Sequence, residues 1–143
     1  MNEIDFNFAL RGYGQVIFQE ILLSGILFFV AVLINAPLAA LYGLLGSVIA
    51  ALVSQFFSAP LENVNLGLVS YNAVLSALVF AGTKTKDALW ALFSVVLSTL
   101  LSQLMTALPF AQLTFPFVVA SCMALFLKNR FQKSEKNSKL KIE

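Results

Sequence analysis

The sequence predicts an all-α, polytopic membrane helix bundle of about five hydrophobic segments, with a short or re-entrant segment and a proline-broken last helix. Two observations predict this class. No charged residue occurs in residues 21–61 or in residues 88–127, and each stretch is long enough for two membrane helices of about 20 apolar residues. In addition, 59% of the residues are hydrophobic and only 11% are charged, whereas a typical soluble domain has about 25% charged residues.

The first two helices are predicted on either side of a proline. The first covers residues 13–34, and the break at residues 35–37 follows because proline disfavours helix in the residue before it. The second covers residues 37–57 and carries small residues three and four positions apart, which allow helices to approach closely in lipid. We expect this face to pack within the bundle. Its members are Gly43, Gly46, Ser47, Ala50, Ala51 and Ser54.

The second half of the chain contains the less regular segments. Residues 66–82 are apolar but too short for a confident crossing, so they form either a short span or a re-entrant piece together with the polar residues 58–65. Residues 85–107 predict a full span. A second proline break is predicted at residues 108–116, followed by a short helix at residues 115–127 that is too short to cross alone.

Charge separates a membrane domain, residues 1–127, from a polar cationic tail, residues 128–143, that we expect to be disordered. The tail holds six cations, and Lys84 and Lys86 lie at the beginning of the predicted span at residues 85–107. Two crossings separate these groups, so the positive-inside rule places both in the cytoplasm at the cell (inner) membrane. The N-terminus is outside if residues 66–82 cross and inside if they re-enter. The cations are too dispersed to predict nucleic-acid binding.

The composition argues against catalysis and cofactors. The chain has no histidine and one cysteine, so a zinc or haem site has no obvious ligands and no acid–base pair suggests an enzyme. Cys122 lies in an apolar run and is expected to be a small packing residue. We therefore expect no cofactor and no metal.

Polar side chains at membrane depth are the informative residues. All but Glu20 are neutral, which favours a pathway for a small uncharged solute over an ion pump. We expect Gln103 and Thr106 to make interhelical hydrogen bonds. The full set is Gln15, Gln19, Glu20, Asn72, Ser76, Gln103, Thr106, Gln112 and Thr114.

Four segments in order resemble the repeat of the urea transporter family. They are ALRGYGQVIF at residues 9–18 with Leu23-Ser24-Gly25 after it, LAALYGLLGSVIAALVS at residues 38–54, GLVSYNAVL at residues 67–75 and LPFAQLTFPF at residues 108–117. Members of this family usually contain two such repeats in inverted orientation. The resemblance implies that this chain is one half of an inverted-repeat transporter fold, whose two halves line a pore that conducts urea or a related small amide passively.

The resemblance also implies the pathway residues. Gln15 would be the polar group at the mouth of a narrow slot, Phe18 a stacking ring, Tyr71 and Leu75 the slot walls, and Thr114 a central oxygen ligand. Urea is flat, so parallel aromatic faces would accept it edge-on, and its N–H groups need acceptors that glutamine, threonine and freed carbonyl groups supply.

The chain departs from the family pattern at three points. Ala73 replaces the usual glycine after Asn72, and residues 20–22 lack the common Asn and Pro. The chain also has half of the expected length, so a pore requires a second half. Three explanations of the short length remain open: a separate partner half, a homo-oligomer inserted both ways despite the charge bias, and a degenerate remnant. The alternative to transport is a structural membrane subunit that only packs helices among membrane lipids.

Overall fold

A computed structural model describes residues 7–19, 21–106 and 113–140 of the chain. The described residues form seven α-helices and no β-strand, which confirms the all-α prediction. The helices are α1 (Phe8–Gln15), α2 (Leu22–Asn35), α3 (Pro37–Phe56), α4 (Leu61–Asn65), α5 (Tyr71–Val79), α6 (Thr85–Thr106) and α7 (Phe115–Leu140).

Helices α3 and α6 are the two long apolar helices among the described residues, and both are long and apolar enough to cross a membrane. Their 20 and 22 residues correspond to about 30 Å at 1.5 Å per residue, which matches the hydrocarbon core of a bilayer. Helix α3 begins at Pro37, whose missing N–H costs nothing in a first turn. Both predicted helices are therefore confirmed within the described residues, where α3 ends one residue before the predicted bound and α6 is helical up to residue 106.

The predicted continuous helix over residues 13–34 is wrong, because the chain turns back between α1 and α2. In one continuous helix Tyr13 and Phe29 would lie about 24 Å apart, but their ring centroids are 5.3 Å apart. Helix α1 lies against α2 where Gly14 meets Gly25, and an added Cβ on Gly14 would come within 3.2 Å of the Gly25 nitrogen. This close approach holds the turn that begins at residues 16–19.

The segment between α3 and α6 runs the length of the bundle as two short helices. It starts at the end of α3, which lies beside the end of α6 because the Gln103 side chain of α6 donates a hydrogen bond to Ser54 of α3. It returns to the beginning of α3, where the Tyr42 hydroxyl donates to the Gly82 carbonyl at 2.8 Å. Helices α4 and α5 have only 5 and 9 residues. This arrangement favours a broken crossing over a re-entrant loop.

Helix α7 continues 13 residues beyond Leu127, so the predicted disorder of the tail is wrong for residues 128–140. Contacts with the start of α6 hold this extension. Lys128 pairs with Asp87 at 2.9 Å and Lys86 with Glu135 at 2.6 Å. Both cationic groups therefore lie at one end of the bundle. Of the predicted break at residues 108–116, residues 108–112 lie outside the described part of the chain, and residues 113–114 form a turn.

The bundle places small and polar side chains inside and large apolar side chains outside. The six small residues predicted to form the packing face of α3 are all buried, whereas Leu45 and Leu52 of the same helix are 61% and 65% exposed. Buried polar residues include Asn72, Ser98 and Thr99. The prediction that Cys122 packs internally is wrong, because it is exposed on α7. An outer surface of this kind suits lipid rather than water.

Candidate solute pathway at three helix breaks

Three interruptions of the helices meet at one place in the bundle. They are residues 16–19 between α1 and α2, residues 66–70 between α4 and α5, and residues 113–114 before α7. Each contains one residue with a positive φ: Phe18 at 56°, Gly67 at 76° and Leu113 at 38°. Positive φ is uncommon in residues other than glycine and requires support from surrounding contacts. Those contacts join the three breaks to each other.

Tyr71 connects the first and third breaks. Its ring centroid lies 6.5 Å from that of Phe18, with the planes tilted by 59°, and its hydroxyl donates to the Leu113 carbonyl at 2.5 Å. Tyr71 is 6% exposed, whereas Phe18 is 58% exposed. The two rings form one wall that faces outward at Phe18. They are not parallel, so this pair alone does not make the flat-walled slot expected from the resemblance.

Gln15 connects the first and second breaks. Its side-chain nitrogen donates to the Leu66 carbonyl at 3.1 Å, and its own backbone carbonyl accepts the Phe18 N–H at 2.9 Å. The residue is 4% exposed. The Gln15 amide therefore joins α1 to the loop before α5, directly beside the turn that carries Phe18.

Thr114 lies next to the point where Tyr71 contacts the third break. It follows Leu113 and precedes α7, and its side chain is half-buried. Its backbone carbonyl accepts the Val118 N–H at 3.1 Å, while no bond to another described residue engages its hydroxyl. Among residues 7–19, 21–106 and 113–140, therefore, none occupies the Thr114 hydroxyl with a hydrogen bond.

Leu75 lies one helical turn after Tyr71 on α5 and is also half-buried. Residues four apart share one helix face, so Leu75 continues the wall that Tyr71 begins. The structure therefore brings the Phe18 and Tyr71 rings into contact and places the Thr114 segment against Tyr71. We call this meeting point of the three breaks the junction. Gln15 is attached to it through backbone and side-chain bonds.

Asn72 is central to this junction, although sequence reasoning gave it no pathway role. It is 1% exposed and its amide nitrogen donates to the Leu113 carbonyl at 3.1 Å and to the Ser102 hydroxyl at 3.3 Å. Its amide oxygen accepts the Phe117 N–H at 3.3 Å. The one signal available in the sequence was an amide side chain within an apolar segment.

The remaining polar residues at depth divide into structural groups. Gln103 donates to Ser54 at 2.9 Å, which confirms the predicted interhelical bond. The same prediction is wrong for Thr106, whose hydroxyl donates to the Gln103 carbonyl within α6. Ser76 is buried, and no bond to its hydroxyl occurs within the described ranges. Glu20 and Gln112 lie outside the described residues.

A helix bundle with an apolar outer surface and several broken helices that meet at one place is typical of the class of membrane transporters. The family model for the urea transporter matches residues 3–129, and this range contains all four of the segments quoted above. The chain belongs to the urea transporter family. It is accordingly a membrane protein of a family of transporters, not of enzymes.

Two mammalian relatives illustrate the likeness. The chain is 30% identical to sheep (Ovis aries) urea transporter 1 over 135 residues, which cover 87% of this chain and 35% of the relative. It is 32% identical to mouse (Mus musculus) urea transporter 1 over 129 residues, which cover 83% of this chain and 34% of the relative. The chain therefore spans about a third of the length of the curated relatives it matches.

Proposed function

We propose that this chain lines one side of a passive, channel-like pathway for urea or a related small neutral amide, and that a second half completes the pathway. The observation that carries the proposal is the meeting of three helix breaks at Phe18, Tyr71 and the Thr114 segment. Breaks of this kind are tolerated at membrane depth only where they are buried in protein or line a cavity.

The chemistry of the junction suits a flat, uncharged solute. The Phe18 ring offers an apolar face, and the Thr114 hydroxyl offers an oxygen acceptor for an N–H group. Leu75 continues the wall along α5, and Gln15 stands at its other end beside the first break. None of these side chains is charged, so an ion entering the passage would lose its hydration without an ionic partner. A neutral amide would lose less hydration free energy than an ion and would regain hydrogen bonds from the wall.

The exposure of the junction supports a second half. Phe18 and Leu113 are 58% and 54% exposed, and the tilted Phe18–Tyr71 pair provides a wall on one side only. A similar half in inverted orientation, carried by the same or another polypeptide or by a second copy of this chain, would supply the opposing ring. Membrane lipids would cover the remaining apolar surface.

The same proposal includes the topology. Residues 1–127 form the membrane domain and residues 128–143 a cationic extension on the cytoplasmic side of the cell (inner) membrane. The contacts of Lys86 with Glu135 and of Lys128 with Asp87 support this orientation, because they place the cations of α7 and of the start of α6 at one end of the bundle.

Urea flux into liposomes tests the proposal. The assembled protein, with its second half, is reconstituted and the reswelling of liposomes in a urea gradient is followed by light scattering. We expect faster reswelling than in empty liposomes. In Thr114→Val, this increase in the reswelling rate should be severalfold smaller. The matched control is Thr106→Val, the same change at an exposed residue whose hydroxyl donates to the Gln103 carbonyl of its own helix and, among the described residues, to no other.

No gain over empty liposomes would refute transport and favour a structural membrane subunit. The structure already places the small-residue face of α3, the feature that most favoured that alternative, in the interior of this chain. An equal loss in Thr106→Val and Thr114→Val would remove Thr114 from the pathway while leaving the transport proposal in place.

A further inference from the structure

We infer that Asn72 is a positioning residue for the Thr114 hydroxyl, and that it thereby sets the affinity of the pathway for its solute. The inference rests on the proposed function. Its basis is that one buried side chain holds the main chain on both sides of Thr114. The Asn72 amide donates to the Leu113 carbonyl at 3.1 Å and accepts the Phe117 N–H at 3.3 Å.

The bond to Phe117 meets a need of α7 itself. Phe117 lies in the first turn of α7, where backbone N–H groups have no partner within the helix. Asn72, a residue of α5, supplies the missing acceptor. The first turn of α7 is therefore fixed relative to α5, and not merely to its own neighbours in sequence.

The bond to Leu113 determines which oxygen the break can offer. A carbonyl oxygen has two lone pairs, and the Leu113 carbonyl accepts both the Tyr71 hydroxyl and the Asn72 amide. The Thr114 carbonyl accepts the Val118 N–H. The Leu113 carbonyl is thus fully occupied and the Thr114 carbonyl is engaged in the first turn of α7, so the Thr114 hydroxyl is the side-chain acceptor that this turn can offer a solute.

Adjacent residues of α5 therefore control both parts of the wall. Tyr71 carries the ring that contacts Phe18, and Asn72 holds the turn that carries the hydroxyl. Loss of the Asn72 bonds would release the Leu113 carbonyl and let the Thr114 hydroxyl move relative to the ring. The solute would then lose a well-placed hydrogen bond, although neither Asn72 nor its replacement contacts it.

A double-mutant cycle tests this inference in the assembled transporter. Asn72→Leu preserves side-chain size and removes all three bonds. We expect the urea concentration for half-maximal flux to rise about 3- to 10-fold, the equivalent of one net hydrogen bond. Thr114→Val should cause a similar rise, and the double variant should show no more than either single variant.

The control is Ser102→Ala, which removes only the bond from Asn72 to α6 and should change the half-maximal concentration less than twofold. Additive effects in the double variant, or an equal effect of Ser102→Ala, would overturn the inference while the transport proposal stands. Absence of flux in the unaltered protein would overturn both. If Asn72→Leu elutes as an aggregate, Asn72→Asp is used instead. It retains an acceptor for Phe117 and removes only the two bonds donated by the amide nitrogen, and the half-maximal concentration should again rise.

Discussion

Gly67 is the residue where a single added methyl group should damage the junction most. Its φ of 76° is in the left-handed region, and it packs against the backbone of α1. A Cβ at this position would lie 2.5 Å from the Gly12 nitrogen and 2.9 Å from the Gly12 Cα, and 2.7 Å from the Arg11 carbonyl carbon. These atoms belong to a helix backbone and cannot rotate away.

Two costs therefore add in Gly67→Ala. Holding an L-residue in the left-handed region costs about 1–2 kcal/mol, and forcing a methyl group into a filled contact costs about 1–3 kcal/mol. The expected loss in free energy of unfolding is about 2–5 kcal/mol, a large part of the total stability of a typical domain. Displacement of α1 should also break the bond from Gln15 to the Leu66 carbonyl, so urea flux should fall.

The assay is unfolding in detergent followed by the fluorescence of Trp90, the chain's only tryptophan. Gly82→Ala is the matched control, because Gly82 lies outside the left-handed region and its added Cβ would meet the movable carboxylate of Asp87. We expect it to cost less than half as much. Equal stability of Gly67→Ala and the unaltered protein would refute the close docking of α1 on this break.

Three further substitutions separate the roles assigned above. Phe18→Ala should reduce urea flux severalfold but cost less than about 1 kcal/mol, since the ring is mostly exposed; unchanged flux would remove it from the wall. Lys128→Met should cost about 1–2 kcal/mol because its ion pair is only 20% exposed, whereas Lys86→Met, 65% exposed, should cost less than about 0.5 kcal/mol; equal melting temperatures would contradict this. Gln103→Leu should cost about 0.5–1.5 kcal/mol by unpairing Ser54 without altering flux, and a flux defect would contradict its structural role.

The elements that local sequence determines were predictable. The bounds of α3 and α6 follow from Pro37, from flanking polar residues and from two long uncharged stretches, all of which act on nearby backbone. The same stretches predicted the exposed apolar surface. The resemblance supplied the five pathway residues, and the structure brings Phe18, Tyr71 and the segment of Thr114 together.

The features that depend on distant contacts were not predictable. The turn at residues 16–19 contains neither proline nor glycine, and it is held by contacts of α1 with Gly25 and Phe29. The helical extension after Leu127 depends on ion pairs with the start of α6. Asn72 could be recognised as a buried amide, but its partners at Leu113 and Phe117 are 41 and 45 residues away.

The central claim is that position 114 faces a passage occupied by the solute, and chemical protection tests it most directly. Thr114→Cys is made in a Cys122→Ser background and treated with a small water-soluble thiol reagent in the assembled membrane protein. Labelling should occur and should slow in the presence of urea. Met123→Cys, an exposed position about 180° around α7 from position 114, should show no effect of urea. A cysteine at position 114 that is inert, or that reacts at the same rate with and without urea, would contradict the account.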